Sequence, residues 1–225
     1  AIQSRLMSGG QNIRGFANVC INQPTDLSLL LPHVAGVTFE SPLDYNLSWG
    51  AWKQIIASFD TLANYPDKYS FLEYRGDFLC QNSGWLADTS RVIMYGYAFY
   101  LAMRSPGTFF GPHEIHQGKL GSDRRCWQDA FYVDLGESDS SWRKIDSTGS
   151  GDWTDKSMVI YRSYGRNAVI LRTGYSTANF LSDYKAVNLH GMYREIDGWT
   201  GDTSSSADSI FYLRPYEGKI LVAGN

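Results

Sequence analysis

Val34-Ala35-Gly36-Val37-Thr38-Phe39-Glu40-Ser41-Pro42 is a short apolar run that ends in a carboxylate, a hydroxyl and a proline. Its β-branched and aromatic residues, bounded by His33 and Pro42, fit a strand better than a helix. Alternation sets Gly36, Thr38 and Glu40 on one face and Val37 and Phe39 on the other. Val37 and Phe39 are the strand's large apolar groups, so they face covering helices, and the Glu40 side turns toward a barrel axis. In parallel α/β sheets and barrels, polar groups at the carboxyl ends of strands point into the ligand crevice. Glu40 holds that position.

The flanking segments repeat the pattern. Upstream, Ile13 to Asn22 reads as a strand in which Ala17, Val19 and Ile21 alternate with Asn18, Cys20 and Asn22. Pro24-Thr25-Asp26 then opens a short helix through Leu27, Leu29 and Leu30 that stops before Pro32. Downstream, Trp52, Ile55, Ile56, Phe59 and Leu62 recur at the spacing of one helix face between Asp44 and Asn64. Pro66 and Asp67 turn the chain into a third strand, Tyr69 to Gly76, with Glu73 near its carboxyl end in the manner of Glu40. Asp88-Thr89-Ser90 caps a helix from about Arg91 to Arg104, with Val92, Tyr95, Phe99 and Ala102 as its buried face. Ser105-Pro106-Gly107 breaks it, and Thr108 to Gly111 is a fourth strand. Four alternating strand and helix units are the signature of a parallel α/β structure, and four units make half of an eightfold barrel.

From Phe131 the texture changes. A Ser/Gly/Asp-rich run extends to Asp155, and six closely spaced strand candidates follow: 158–164, 168–172, 186–189, 191–195, 210–213 and 219–222. Gly165-Arg166-Asn167 reads as the hairpin turn between the first two. The expected architecture is the carboxyl-terminal half of a (β/α)8 TIM barrel over residues 1–135 and an antiparallel β-sandwich over residues 136–225.

The chain has 225 residues, 43% of them apolar, enough for a substantial core. A formal net charge of -3 gives no electrostatic reason to expect nucleic acid or an anionic membrane surface as partner. No apolar run approaches the ~20 residues of a membrane-spanning helix. Fifteen Tyr and seven Trp serve core packing and suit stacking on sugar rings. Cys20, Cys80 and Cys126 are too widely spaced for a CxxC metal site or a disulfide framework and read as free thiols. The segment Ala1 to Met7, closed by Gly9-Gly10, looks like the tail of a helix, so the sequence reads as a fragment or a processed form. A half-barrel has two open sheet edges, and a homodimer could cover them.

Several stretches, taken in order, resemble the TIM-barrel glycoside hydrolases that carry a small β-sandwich after the barrel, near the endo-α-1,4-polygalactosaminidases. Ile21-Asn22 resembles the fifth barrel strand, Ala35 to Ser41 the sixth, ending in Glu-Ser, and Phe71-Leu72-Glu73-Tyr74 the seventh. Val133-Asp134-Leu135-Gly136, Tyr161 to Tyr164 with Val169-Ile170-Leu171, and Leu213 to Leu221 resemble the sandwich and its closing strand. The family's barrel also has an amino-terminal half with acidic residues of its own, so Glu40 and Glu73 are the carboxylates that carry over. The resemblance implies hydrolysis of glycosidic bonds in a poly- or oligosaccharide, with an extracellular or cell-envelope setting.

Glycoside hydrolysis takes two carboxyl groups across the scissile bond, one protonated as acid and one ionised as nucleophile or base. Glu40 and Glu73, at equivalent ends of adjacent strands, are the catalytic candidates; the alternative for either is a hydrogen bond to a sugar hydroxyl or a salt bridge to Arg75. Asn22, whose amide both donates and accepts, joins Tyr45, Tyr74, Arg75 and His113 as substrate-binding candidates. His113, Glu114 and His116 have no further anchor at metal-ligand spacing, so no metal is expected, and no glycine-rich phosphate loop calls for a nucleotide cofactor. Ser41 lacks the Gly-x-Ser-x-Gly setting of a serine hydrolase. The alternative function is a non-catalytic carbohydrate-binding or structural remnant of such an enzyme.

Overall fold

In the computed structural model, which describes residues 15–19, 26–40, 43, 49–74, 89–112, 128–139, 141–145, 158–173 and 184–224, the quoted stretch contains a strand, Gly36–Glu40, inside a parallel sheet. The four strands lie side by side in chain order: β1 (Phe16–Val19), β2 (Gly36–Glu40), β3 (Tyr69–Tyr74) and β4 (Thr108–Pro112). A single helical turn, α1 (Leu27–Leu30), stands between β1 and β2, and its N-cap Asp26 accepts a hydrogen bond from the Ser28 amide at 3.0 Å. The longer helices α2 (Trp49–Ala63) and α3 (Thr89–Met103) stand between β2 and β3 and between β3 and β4. Parallel neighbours need such crossovers, because a tight turn can only reverse the chain.

Val37 and Phe39 face the helices, as their size dictates, and both are fully buried. The Phe39 ring stacks on Phe59 of α2 at 4.8 Å, Phe59 meets Phe99 of α3 edge-on at 5.4 Å, and Trp52 lies 6.0 Å from Phe99. On this side the buried Ser70 hydroxyl donates to the Thr108 hydroxyl at 2.9 Å.

Helix α3 is buried nearly all round, beyond the single face formed by Val92, Tyr95, Phe99 and Ala102. A helix apolar on every side belongs between two layers. One side of α3 packs against the parallel sheet, where Gly96 leaves room for the Tyr74 ring; a Cβ there would stand 2.2 Å from it. The other side packs against the antiparallel sheet. That sheet caps the end of the helix: the Arg162 guanidinium donates to the Ala102 carbonyl at 3.0 Å, and the Tyr164 hydroxyl to the Leu101 carbonyl at 2.5 Å.

The antiparallel sheet consists of β5 (Arg143–Ile145), β6 (Val159–Tyr164), β7 (Asn167–Arg172), β8 (Lys185–Glu195), β9 (Asp208–Leu213) and β10 (Glu217–Ala223), in the order β5-β6-β7-β10-β8-β9. The predicted hairpin joins β6 to β7 through Gly165-Arg166, with Gly165 at φ 59°. The segments 186–189 and 191–195 are one strand, β8, whose register shifts between Asn188 and Tyr193, with His190 at φ 57°.

Where turn density predicts two opposed sheets of a sandwich, the described strands hydrogen-bond into one sheet, packed on both faces. Ile160, Val169, Leu171 and Ile220 join the core around α3, while Val159, Tyr161, Ile170, Val187, Phe211 and Leu221 form a second cluster on the opposite side. The sheet curls to make that cluster, bringing Tyr193 of β8 against Tyr161 of β6 across two intervening strands, and burial there pushes the Tyr193 phenol up. Alternation along a strand records that both sides are covered and not which layer covers them. Among the described residues the parallel strands fall between Phe16 and Pro112 and the antiparallel strands between Arg143 and Ala223, and an apolar core joins the two sheets through α3.

Candidate carboxylate pair on the open face of the parallel sheet

The side of the parallel sheet away from α2 and α3 is layered by strand register. Phe16, Gly36 and Tyr69 are aligned at the bottom; Asn18, Thr38, Phe71 and Phe109 form the next layer. Glu40, Glu73 and Gly111 form the layer at the carboxyl ends of β2, β3 and β4. Glu40 is thus the direct register partner of Glu73 on a neighbouring parallel strand, with backbones ~4.8 Å apart in such a sheet. Glu73 is half-buried. Gly111 admits the Phe71 ring beside it, since a Cβ there would lie 2.4 Å from that ring.

This side also carries the sheet's exposed aromatic groups: Phe16, Tyr69, Phe71 and Phe109 keep 55%, 50%, 37% and 52% of their surface. Tyr69 and Phe109 lie 6.1 Å apart, ring to ring, so the exposed groups form a patch. Their place as potential contact residues is absent from the candidates drawn from the sequence. The period-two spacing of Tyr69 and Phe71 is the signal that could have found them, because it sets both on the face of Glu73.

Tyr74 requires a correction. It is 1% exposed on the helix-covered face, with its ring against Gly96 and its hydroxyl donating to the Val92 carbonyl at 2.7 Å. A ring sealed there packs the core and cannot stack on a sugar; odd and even positions of β3 face opposite ways, and Tyr74 shares the side of Ser70 and Leu72. Asn22, Tyr45, Arg75 and His113 lie outside the described residues, as do Cys20, Cys80, Cys126, Glu114 and His116. Among the described residues, no group of three or more His, Cys, Asp or Glu is placed to hold a metal ion, and no helix is long and apolar enough to cross a membrane.

Glu40 and Glu73 thus occupy register-paired positions at one end of adjacent parallel strands. Either the short separation of retaining glycosidases or the longer one of inverting enzymes is within reach of side-chain direction from such neighbouring positions.

No protein-family profile and no curated protein matches the chain. Among solved structures it is similar to the glycoside hydrolase family 30 subfamily 8 xylanase from Clostridium acetobutylicum, with a TM-score of 0.38 and 12% sequence identity. The match covers 89% of this chain and 50% of that one, so the chain spans about half the length of the xylanase. The likeness is weak and assigns no residue a role.

Proposed function

We propose that this chain is a glycosidase-like protein in which Glu40 and Glu73 form the carboxylate pair and the parallel sheet is half of a (β/α)8 barrel. The observation that carries this reading is the register partnership of the two glutamates at the carboxyl ends of β2 and β3. One carboxyl group protonates the departing glycosidic oxygen, and the other, ionised, attacks the anomeric carbon or activates the water that does. The exposed aromatics of the same side give apolar platforms for sugar rings. The competing reading, a non-catalytic carbohydrate-binding remnant, draws on those same aromatics. A second copy of the chain is the partner this reading assigns to β1 and β4, the outer strands of the sheet among the described residues.

Glu40→Gln and Glu73→Gln test the pair. Each variant, which keeps the size of the side chain and removes its charge, should unfold within ~1 kcal/mol of the wild type. Release of reducing ends from soluble polysaccharides should fall to background in both. Undiminished hydrolysis in either variant, or a sharp loss of stability with an unchanged glycan response, would remove that residue from the proposed chemistry. Glycan binding by a wild type that never hydrolyses, weakened in Glu40→Gln or Glu73→Gln, would decide for the binding remnant.

A further inference from the structure

A cleft of about 450 Å3 opens where the end of β8, the start of β10 and the first turns of α3 meet, within the ~300–1,000 Å3 range of small-molecule sites. One wall is the turn after β8, in the stretch Asp197-Gly198-Trp199-Thr200-Gly201-Asp202. Its shape is fixed by its own hydrogen bonds. The Asp197 carboxylate accepts from the amides of Trp199 at 2.9 Å and Thr200 at 3.0 Å, and the Asp197 amide donates to the Asp202 carbonyl at 2.8 Å. From outside, the Ala130 amide donates to the Gly198 carbonyl at 3.2 Å. On this braced turn Trp199 keeps 41% of its surface exposed and lines the cleft.

The opposite wall is polar and internally paired. The Lys219 ammonium is 2.7 and 2.8 Å from the two Glu195 carboxylate oxygens and 3.4 Å from Glu217. Two cations, Arg91 and Lys219, thus line the cleft with four carboxylates, those of Glu195, Asp197, Asp202 and Glu217, for a formal charge of -2. That balance disfavours an anionic ligand, and the pairing of Lys219 occupies the ammonium that would otherwise hold a phosphate. Asp202 is exposed, and among the described residues its carboxylate accepts no hydrogen bond. A flat apolar indole beside carboxylates that accept and do not donate suits a neutral, polyhydroxylated ring, with one apolar face and hydroxyl donors around its edge.

We infer that this cleft binds a sugar unit, stacked on Trp199 with hydroxyls donated to Asp202, as a carbohydrate subsite separate from the Glu40 and Glu73 face. The inference does not depend on the carboxylate pair being catalytic.

Calorimetric titration of the whole chain with cellohexaose, xylohexaose and mannohexaose tests it, with inorganic phosphate as the anionic control. The wild type should bind at least one of the three saturably. Trp199→Ala should weaken that binding about tenfold or more, Trp199→Phe should retain most of it, and Asp202→Asn should fall between. Thermal unfolding of each variant separates lost binding from lost folding, and Trp199→Phe and Asp202→Asn keep the test open if the alanine variant is unstable. The loss on Trp199→Ala should be the same whether or not Glu40→Gln and Glu73→Gln are also present, so the subsite stands even if the hydrolytic reading fails. No binding of any oligosaccharide, preferential binding of phosphate, or equal binding by Trp199→Ala and the wild type would overturn it.

Discussion

On one face of the parallel sheet Val37, Phe39, Leu72 and Tyr74 are sealed beneath α2 and α3; on the other, Phe16, Tyr69 and Phe109 keep half or more of their surface. The strands are the same, and the residue types overlap: Phe39 and Phe109 are both phenylalanines on parallel strands of one sheet. Parallel sheets are as a rule covered on both faces. Here the described elements cover one, and the other bears a patch of exposed aromatic rings. The difference teaches that identity along a strand sets what a face can do, while the layer against it sets what that face contributes to stability.

The largest effect belongs to the covered side. Phe39 is fully buried and stacked on Phe59, so Phe39→Ala removes both transfer free energy and ring contacts and leaves a cavity. A loss of about 3–5 kcal/mol is expected in urea unfolding followed by circular dichroism. Because α3 joins both sheets to one core, the loss should appear in a single transition. A cost below about 1 kcal/mol, or two separate transitions, would break the contrast between the faces or the unity of the core.

Much of this arrangement is legible in the sequence, for reasons that can be named. Period-two alternation in Gly36 to Glu40 is a local property, and it assigns Val37 and Phe39 to the helices and Glu40 to the other side without knowledge of any neighbour. The register partnership of Glu40 with Glu73 follows once two such strands are set side by side. What alternation does not carry is the identity of the covering layer. The strands from Val159 onward read equally well as two opposed sheets or as one curled sheet, because Val159 and Ile160 are buried on opposite faces in either case. The short β5 is hidden because Arg143-Lys144-Ile145 has too few apolar residues to show a period. Tyr74 stands next to Glu73 in sequence, and in a strand that is the opposite side of the sheet. Trp199 is silent in the sequence because a lone tryptophan in a turn-rich segment has no periodic context.

A second, smaller effect is expected at high pH, again on the covered side. The Tyr97 ring packs among Tyr100, Phe110 and Phe131, and burial pushes its phenol up to about 12. Burial raises Tyr95 and Tyr216 in the same direction. In the unfolded chain a tyrosine ionises near pH ~10. Above that value the unfolded state has released its proton while the native state keeps it, so stability falls as pH rises. Tyr97's contribution is fully present below pH ~10 and gone above about 12, a loss of order 2 kcal/mol. Urea midpoints measured from about pH 9 to about pH 12 should decline steeply, and Tyr97→Phe should decline less. Parallel curves for the two proteins would show that the Tyr97 phenol titrates as it does in water.

The smallest effect is the one that tests the open face. Phe109 is 52% exposed, with its ring 6.1 Å from that of Tyr69, and Phe109→Thr keeps a residue suited to a strand while removing the ring. Measured at low protein concentration, its unfolding free energy should lie within about 0.5 kcal/mol of the wild type, an order of magnitude below the cost at Phe39. If a second copy covers this side, the wild-type midpoint should rise with protein concentration, because association stabilises only the folded state, and the variant's should rise less. Sedimentation equilibrium on both proteins reads the same association directly. A loss near that of Phe39→Ala at low concentration would mean that this chain itself seals the face, and the contrast between the two sides would disappear. A small loss with no concentration dependence in either protein would keep the face open and remove the second copy as its partner.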